Sequence, residues 1–189
     1  MITERKPRTV IVACHCILNP SAKVLSPDTQ AQARETALRR RALSALLEKK
    51  IDILQLPCPE FTLYGPLRWG HVREQFDNTF FRGHCRRILE PAVEQIAEYA
   101  AHPELFELLG IAGVDGSPSC GVNKTCTGDW GGEWGSGNGG LRAPAPARET
   151  ESCGVFMEEL LRLLCEKGLM PPVFSLETLP AWIIDGTAE

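Results

Sequence analysis

Residues 9–16 read Thr-Val-Ile-Val-Ala-Cys-His-Cys. The apolar run barely alternates, as expected of a strand covered on both faces, not one with a wet side. It then ends abruptly in two thiols and an imidazole. The same pattern recurs along the chain. Ile51–Leu56 runs into Pro57-Cys58-Pro59-Glu60, and Leu108–Val114 runs into Asp115-Gly116-Ser117-Pro118-Ser119-Cys120-Gly121. A shorter apolar run, Val173–Leu176, completes the set.

Helical stretches lie between these runs. Asp28 to Lys49 carries Ala, Leu and Arg at helical spacing, with Asp28 as N-cap after Pro27. His71 to Ala101 is long and amphipathic, and Pro91 is expected to kink it or to start a new helix. Glu151 to Lys167 is amphipathic, with Gly168 as its stop. Strands alternating with helices predict an α/β fold: a mostly parallel central sheet between two helical layers. Thr127–Ala147, TGDWGGEWGSGNGGLRAPAPA, is too rich in Gly and Pro for a regular element. It reads as a Gly/Trp-rich loop or lid inserted in a single domain spanning 1–189. Trp130 and Trp134 either cover a site or pack the loop onto its own domain.

A chain of 189 residues suits one domain with a core of useful size. A net charge of −4 argues against tracking along a nucleic-acid polymer, while a small anion needs only a few local cations. No apolar stretch reaches membrane-span length, and the charged start Met1–Pro7 lacks the apolar core of a signal peptide. The expectation is a cytoplasmic protein with no membrane partner. Eight cysteines then point to metal, cluster or thiol chemistry before disulfides. Cys85 and Cys165 fall within helical patterns and read as buried hydrophobes; Cys153 falls near the start of the last helix.

In open parallel sheets, ligands bind outside the carboxyl ends of the strands. Each of the first three strand ends delivers a cysteine, so Cys16, Cys58 and Cys120 are expected to converge there. Three thiolates suit zinc with a fourth ligand from Cys14, His15 or Cys126, or an iron–sulfur cluster. A thiol nucleophile with His15 as base is the remaining option. The spacing is not that of a zinc finger or ribbon, and the pattern favours a cluster or metal site over a nucleophile. Glu60, two residues after Cys58, is a candidate general acid or base, with Phe61 and Leu63 as apolar neighbours. Ser117 and Ser119 are candidate donors to a substrate, and Lys124, Arg68 and His71 are candidate holders of an anionic group.

Three stretches together resemble the thiouracil desulfidase (TudS) family, in its TudS-related desulfidase branch. They are Ala13-Cys14-His15-Cys16-Ile17-Leu18-Asn19, Pro57-Cys58-Pro59-Glu60 and Ser117-Pro118-Ser119-Cys120-Gly121, within a similarity running from Val10 to Cys126. The resemblance implies a Rossmann-like fold in which Cys16, Cys58 and Cys120 hold a 4Fe–4S cluster with one iron free of protein ligands. It further implies that this iron takes the sulfur of a thiolated nucleobase, nucleoside or nucleotide. Water then replaces sulfur on the carbon and sulfide leaves, without net redox. Glu60 and Ser119 would assist substrate binding and proton transfer. The chain departs from the family where Ile17-Leu18-Asn19 replaces a Leu-Leu-Gly turn, in the extra thiol Cys14 and in the Trp-rich loop. The alternative is a non-catalytic iron–sulfur or metal-binding protein for sensing or sulfur transfer, closed by a fourth ligand such as Cys14 or Cys126.

Overall fold

The computed structural model describes residues 6–132 and 145–185. Its centre is β1, Arg8–Ala13, in which Val10, Ile11, Val12 and Ala13 are all buried. Burial of consecutive residues means that both faces of the strand are covered. On one side β1 pairs in parallel with β2, Asp52–Gln55, with Val10 opposite Asp52 and Ala13 opposite Gln55. On the other it pairs in parallel with β3, Phe106–Gly113, with Ala13 opposite Ala112. The register between β1 and β3 shifts between Val10 and Ile11. Gly110 lies at that shift with φ +149°, and a Cβ there would lie 2.4 Å from the Pro172 carbonyl oxygen. A short β6, Val173–Ser175, extends the sheet beyond β3, giving the order β2-β1-β3-β6 with every pair parallel.

Parallel neighbours need crossovers, and here these are helices. After β1 come a single turn α1, His15–Leu18, a 3-10 turn at Pro20–Ala22, and α2, Thr29–Glu48. Asp28 caps α2, its side chain accepting from Ala31 N at 2.9 Å. After β2 come α3, Pro59–Tyr64, α4, Arg73–Phe76, and α5, Thr79–Ala101. After β3 comes the hairpin of β4, Lys124–Thr127, and β5, Arg148–Glu151, followed by α6, Val155–Glu166. The chain leaves β6 into α7, Leu179–Asp185. The β1-to-β2 and β2-to-β3 crossovers run in opposite directions along the sheet. With right-handed connections this puts α2 and α5 on opposite faces. The contacts agree: α5 packs on α6, and α2 on α7. The expected α/β sandwich is thus present, and no helix among the described residues is long and apolar enough to cross a membrane.

Several boundaries differ from the sequence reading, each for a local reason. The stretch 71–101 divides, because Asn78 ends one segment and caps the next by accepting from Phe80 N and Phe81 N. Pro91 neither starts a helix nor ends one. It sits inside α5 on an exposed position, where the missing N–H leaves a carbonyl that water reaches. Glu151 belongs to β5, and α6 starts four residues later at Val155. The irregular segment after Cys126 joins two antiparallel strands; its described part includes Trp130, whose Nε1 donates to Ala145 O at 2.6 Å. Trp134 lies outside the described residues. Cys85 is buried in α5 as expected, whereas Cys165 is exposed on the outer face of α6.

The α5–α6 contact has an ionic seam above its apolar core. Glu159 is only 3% exposed and takes Arg82, Arg86 and Arg162 as partners. Burial alone would favour its neutral form, but those guanidinium groups outweigh it and hold the carboxyl below its usual range. Removing Glu159 takes from Arg86 its carboxylate and one partner each from Arg82 and Arg162, which keep Asp77, Glu158 and Glu166. Glu159→Gln is therefore expected to lower unfolding free energy by roughly 2–3 kcal/mol at pH 7, read by urea denaturation. An unchanged midpoint would mean that the remaining carboxylates and solvent carry the arginines.

Candidate functional site

The parallel register brings the carboxyl ends of β2, β1 and β3 to one edge, with β1 in the middle. Connections leave β1 toward β2 and reach β3 from the other side, which makes this edge a topological switch point. Cys14 is the N-cap of α1, and Cys16 sits within that single turn. Cys58 is the N-cap of α3 and its sulfur accepts from Phe61 N at 3.4 Å. Cys120 follows β3 on a tight loop, and its carbonyl accepts from Val114 N at 3.0 Å. The three sulfurs lie within one another's electrostatic reach: Cys16 feels both Cys120 and Cys58, and Cys58 feels Cys120. The structure thus places the three strand-end cysteines at one edge of the sheet, near enough to shift one another's ionisation.

Their environment is apolar and crowded with like groups. Burial pushes the Cys16 thiol up, aided by Cys120 and opposed by Lys23, which pairs with Glu35 of α2. Burial raises Cys58 as well, against the pull of the Phe61 amide. Cys120 is raised well above its ordinary value by its contact with the Cys14 thiol and by burial. Cys85, within electrostatic reach of Cys120, is pushed up to about 12, and Cys126 to about 11, each chiefly by burial. An activated nucleophilic thiol needs the opposite, an environment that favours the thiolate. All eight cysteines are free. Among the described residues, no group of three or more His, Cys, Asp or Glu side chains is placed to hold a single metal ion.

The polar side of the site is built around Glu60. Its Oε1 accepts from Ser119 Oγ at 2.6 Å, and its Oε2 accepts from Arg68 Nε at 3.2 Å. Ser119 is buried, and its Oγ lies 3.5 Å from Cys120 Sγ. The carboxylate therefore links the loop of Cys120 to the helix of Cys58. Phe61 and Leu63, the expected apolar wall, are exposed instead; Glu60 is surrounded by a hydroxyl and a guanidinium. Arg68 is only 4% exposed and also donates to Gly65 O at 3.1 Å and Ala22 O at 2.6 Å. Each of its three nitrogens donates to the protein, so it fixes Glu60 and ties the α3 end to the turn after Cys16.

Ser117 acts within its own loop, its Oγ accepting from Cys120 N at 3.0 Å and Ser119 N at 3.3 Å. Lys124 lies on β4, half exposed, with its Nζ 3.8 Å from Glu149 of the facing strand. His71 stacks on Tyr64 with ring centroids 5.0 Å apart and leans on Phe76; its Nδ1 is buried without a partner. Burial holds this imidazole toward its neutral form. His15 is bound by Gln55, whose Nε2 donates to His15 O at 3.1 Å and lies 3.3 Å from Nδ1. The Cys126 thiol points to His71 O at 3.4 Å.

Two features of the Cys120 loop left no trace in the sequence reading. The first amides of α6 have no side-chain cap, and the loop supplies carbonyls to them. Val155 N donates to Pro118 O and Met157 N to Ser119 O, each at 3.0 Å. Gly154 makes this close approach possible, since a Cβ there would lie 2.4 Å from the Ser119 carbonyl carbon. Asp115 closes the loop's other end, its Oδ1 accepting from Val122 N at 2.9 Å and Asn123 N at 2.8 Å.

The chain matches the family described as Putative 2-thiouracil desulfurase over residues 8–131. It belongs to that family. The matched span contains all three cysteine-bearing strand ends, Glu60 and Ser119, and stops before α6. The chain is also 29% identical over 119 residues to an uncharacterized protein, MJ0003, of Methanocaldococcus jannaschii. The alignment covers 63% of this chain and 71% of that protein. No solved structure matches the chain.

Asp115 gives the loop a pH dependence of known sign. Burial favours its neutral form, but the amides of Asn123 and Val122 outweigh that and hold the carboxyl below its usual range. Such a group stabilises the fold above the ordinary carboxylate range, and its contribution is lost as pH falls through the depressed value. Asp115→Ala should cost about 2 kcal/mol at pH 7 in urea unfolding. The gap to wild type should narrow as pH is lowered into the acid range; a constant gap would contradict this role.

Proposed function

We propose that this protein is a 4Fe–4S-dependent desulfidase that converts a thiouracil-type C=S to C=O with release of sulfide. Family membership supports a desulfurase. The finer reading rests chiefly on one observation: three strand-end thiols within mutual reach, beside a carboxylate hydrogen-bonded to the serine next to Cys120. These donors suit an iron–sulfur cluster, because thiolates are its natural ligands and all the cysteines here are free. Cys16, Cys58 and Cys120 would hold the cluster. When bound on three thiolates, it supplies an iron free of protein ligands, a Lewis acid that accepts a substrate sulfur.

The chain's own residues supply orientation and proton transfer. Arg68 holds Oε2 of Glu60 and Ser119 holds Oε1, which fixes the carboxylate beside Cys120. Glu60 takes a proton from the water that replaces sulfur on carbon, and Ser119, already donating to Oε1, orients it. The balance is one thiocarbonyl and one water giving one carbonyl and one hydrogen sulfide. The substrate class is a thiolated nucleobase, nucleoside or nucleotide. The reaction suits the cytoplasm, where thiols stay reduced.

Protein purified without oxygen should be brown, contain about four irons per chain, and release sulfide from 2- or 4-thiouracil derivatives. Colourless protein that takes up one zinc and no iron on reconstitution would refute the reading. Glu60→Gln should keep its iron but lose about 10²–10⁴ in kcat. The Cys14 thiol lies against Cys120. The non-catalytic alternative, a closed four-thiolate site, therefore makes a distinct prediction. Cys14→Ser should retain iron and sulfide release if three thiolates suffice; loss of iron in that variant would favour the closed site.

A further inference from the structure

A histidine far from Cys58 in sequence reaches its backbone. His84 is buried on α5, and its Nε2 lies 2.9 Å from Thr62 Oγ1. Thr62 Oγ1 in turn donates to Cys58 O at 2.7 Å, an oxygen that also accepts from Thr62 N at 3.1 Å. The same hydroxyl also lies 3.4 Å from Pro59 O, so Cys58 O is its shortest contact. The imidazole meets that hydroxyl through Nε2, with donor and acceptor roles set by the ring tautomer. His84 Nε2, Thr62 Oγ1 and Cys58 O thus form one continuous hydrogen-bonded chain. The ring also lies against the carbonyl of Pro59, to which it is hydrogen-bonded.

This relay meets the backbone where it is otherwise short of anchors. Pro57 and Pro59 flank Cys58 and neither brings an N–H. The Cys58 sulfur already serves as N-cap of α3, accepting from Phe61 N. Its direction depends on the Cys58 peptide, and that peptide is clamped on its carbonyl. We propose that His84 is a positioning residue for Cys58, acting through Thr62 to aim the thiol into the strand-end site. The inference rests on the reading of Cys58 as a site ligand, but its test does not need a bound cluster.

The test compares alkylation rates of individual cysteines in reduced, metal-free protein, mapped by mass spectrometry, with Cys16 as internal reference. His84→Phe keeps a ring of similar size without the ring nitrogens, and Thr62→Val keeps the shape without the hydroxyl. Each should raise the Cys58 rate about fivefold, as expected for loss of one hydrogen bond that restrains local opening. His84→Gln places an amide, able to donate or accept, near the Nε2 position and should return the rate to within about twofold of wild type. The double variant should add little to either single one, because both break the same relay. Equal acceleration at Cys16 and Cys58, or failure of His84→Gln to rescue, would mean a merely structural histidine and overturn the proposal. An unchanged Cys58 rate in Thr62→Val, which sits on an exposed position, would overturn it independently of any folding defect in the His84 variants. Iron content is read separately after anaerobic reconstitution of wild type. Its absence would refute the desulfidase reading and leave the alkylation comparison standing.

Discussion

Parallel pairing of Arg8–Ala13 with a strand on each side is the constraint on which the site depends. Parallel strands end at the same edge, so the turns that leave them must meet. Because β1 is central, the turn bearing Cys14 and Cys16 lies between the turn of Cys58 and the loop of Cys120. The burial of Val10 through Ala13 holds that register, since a slip would move the apolar set out of its packing. Crossovers in opposite directions then cover both faces with helices and leave the carboxyl edge open. Site geometry is in this sense a by-product of sheet topology.

Two independent braces hold the loops that the strands aim. Glu60 bridges the second and third turns by accepting from Ser119, and Arg68 carries the bridge to the first turn through Ala22 O. The Cys120 loop is held from outside the sheet as well, by the amides of α6 at one end and Asp115 at the other. The α6 helix is in turn fixed by Glu159 and its arginines on α5. A helix that lies beyond the family-matched span thus supports the loop inside it. Backbone carbonyls take the place of the capping side chain that α6 lacks, so helix end and loop satisfy each other's polar groups.

The thiols sit where water is scarce and like groups crowd together, which keeps them protonated in the metal-free protein. A bound cation reverses that balance, because coordination needs thiolates and releases their protons. The same crowding that opposes a nucleophilic role therefore suits a ligand role. Lys23, paired with Glu35, is the cation acting against the rise at Cys16.

The sequence by itself determined the sheet, its parallel sense and the three strand-end cysteines. Apolar runs without alternation can be buried only on both faces, and helices between them leave parallel pairing as the solution. It also marked Glu60 and Ser119, because they adjoin the cysteines along the chain. The hairpin at Lys124–Thr127 and Arg148–Glu151 escaped notice, since β5 reads Arg-Glu-Thr-Glu, is fully exposed and carries no apolar signal. Only the tertiary structure decided that Arg68 braces Glu60, that Lys124 faces Glu149, and that His84 reaches the Cys58 peptide. A side chain's partner depends on which elements pack together. A lone Arg or His within a helical or loop pattern reads the same whether it meets solvent, substrate or a carbonyl distant along the chain. Local propensity and periodicity report burial and conformation along the chain, whereas the commitments of polar donors are made across it.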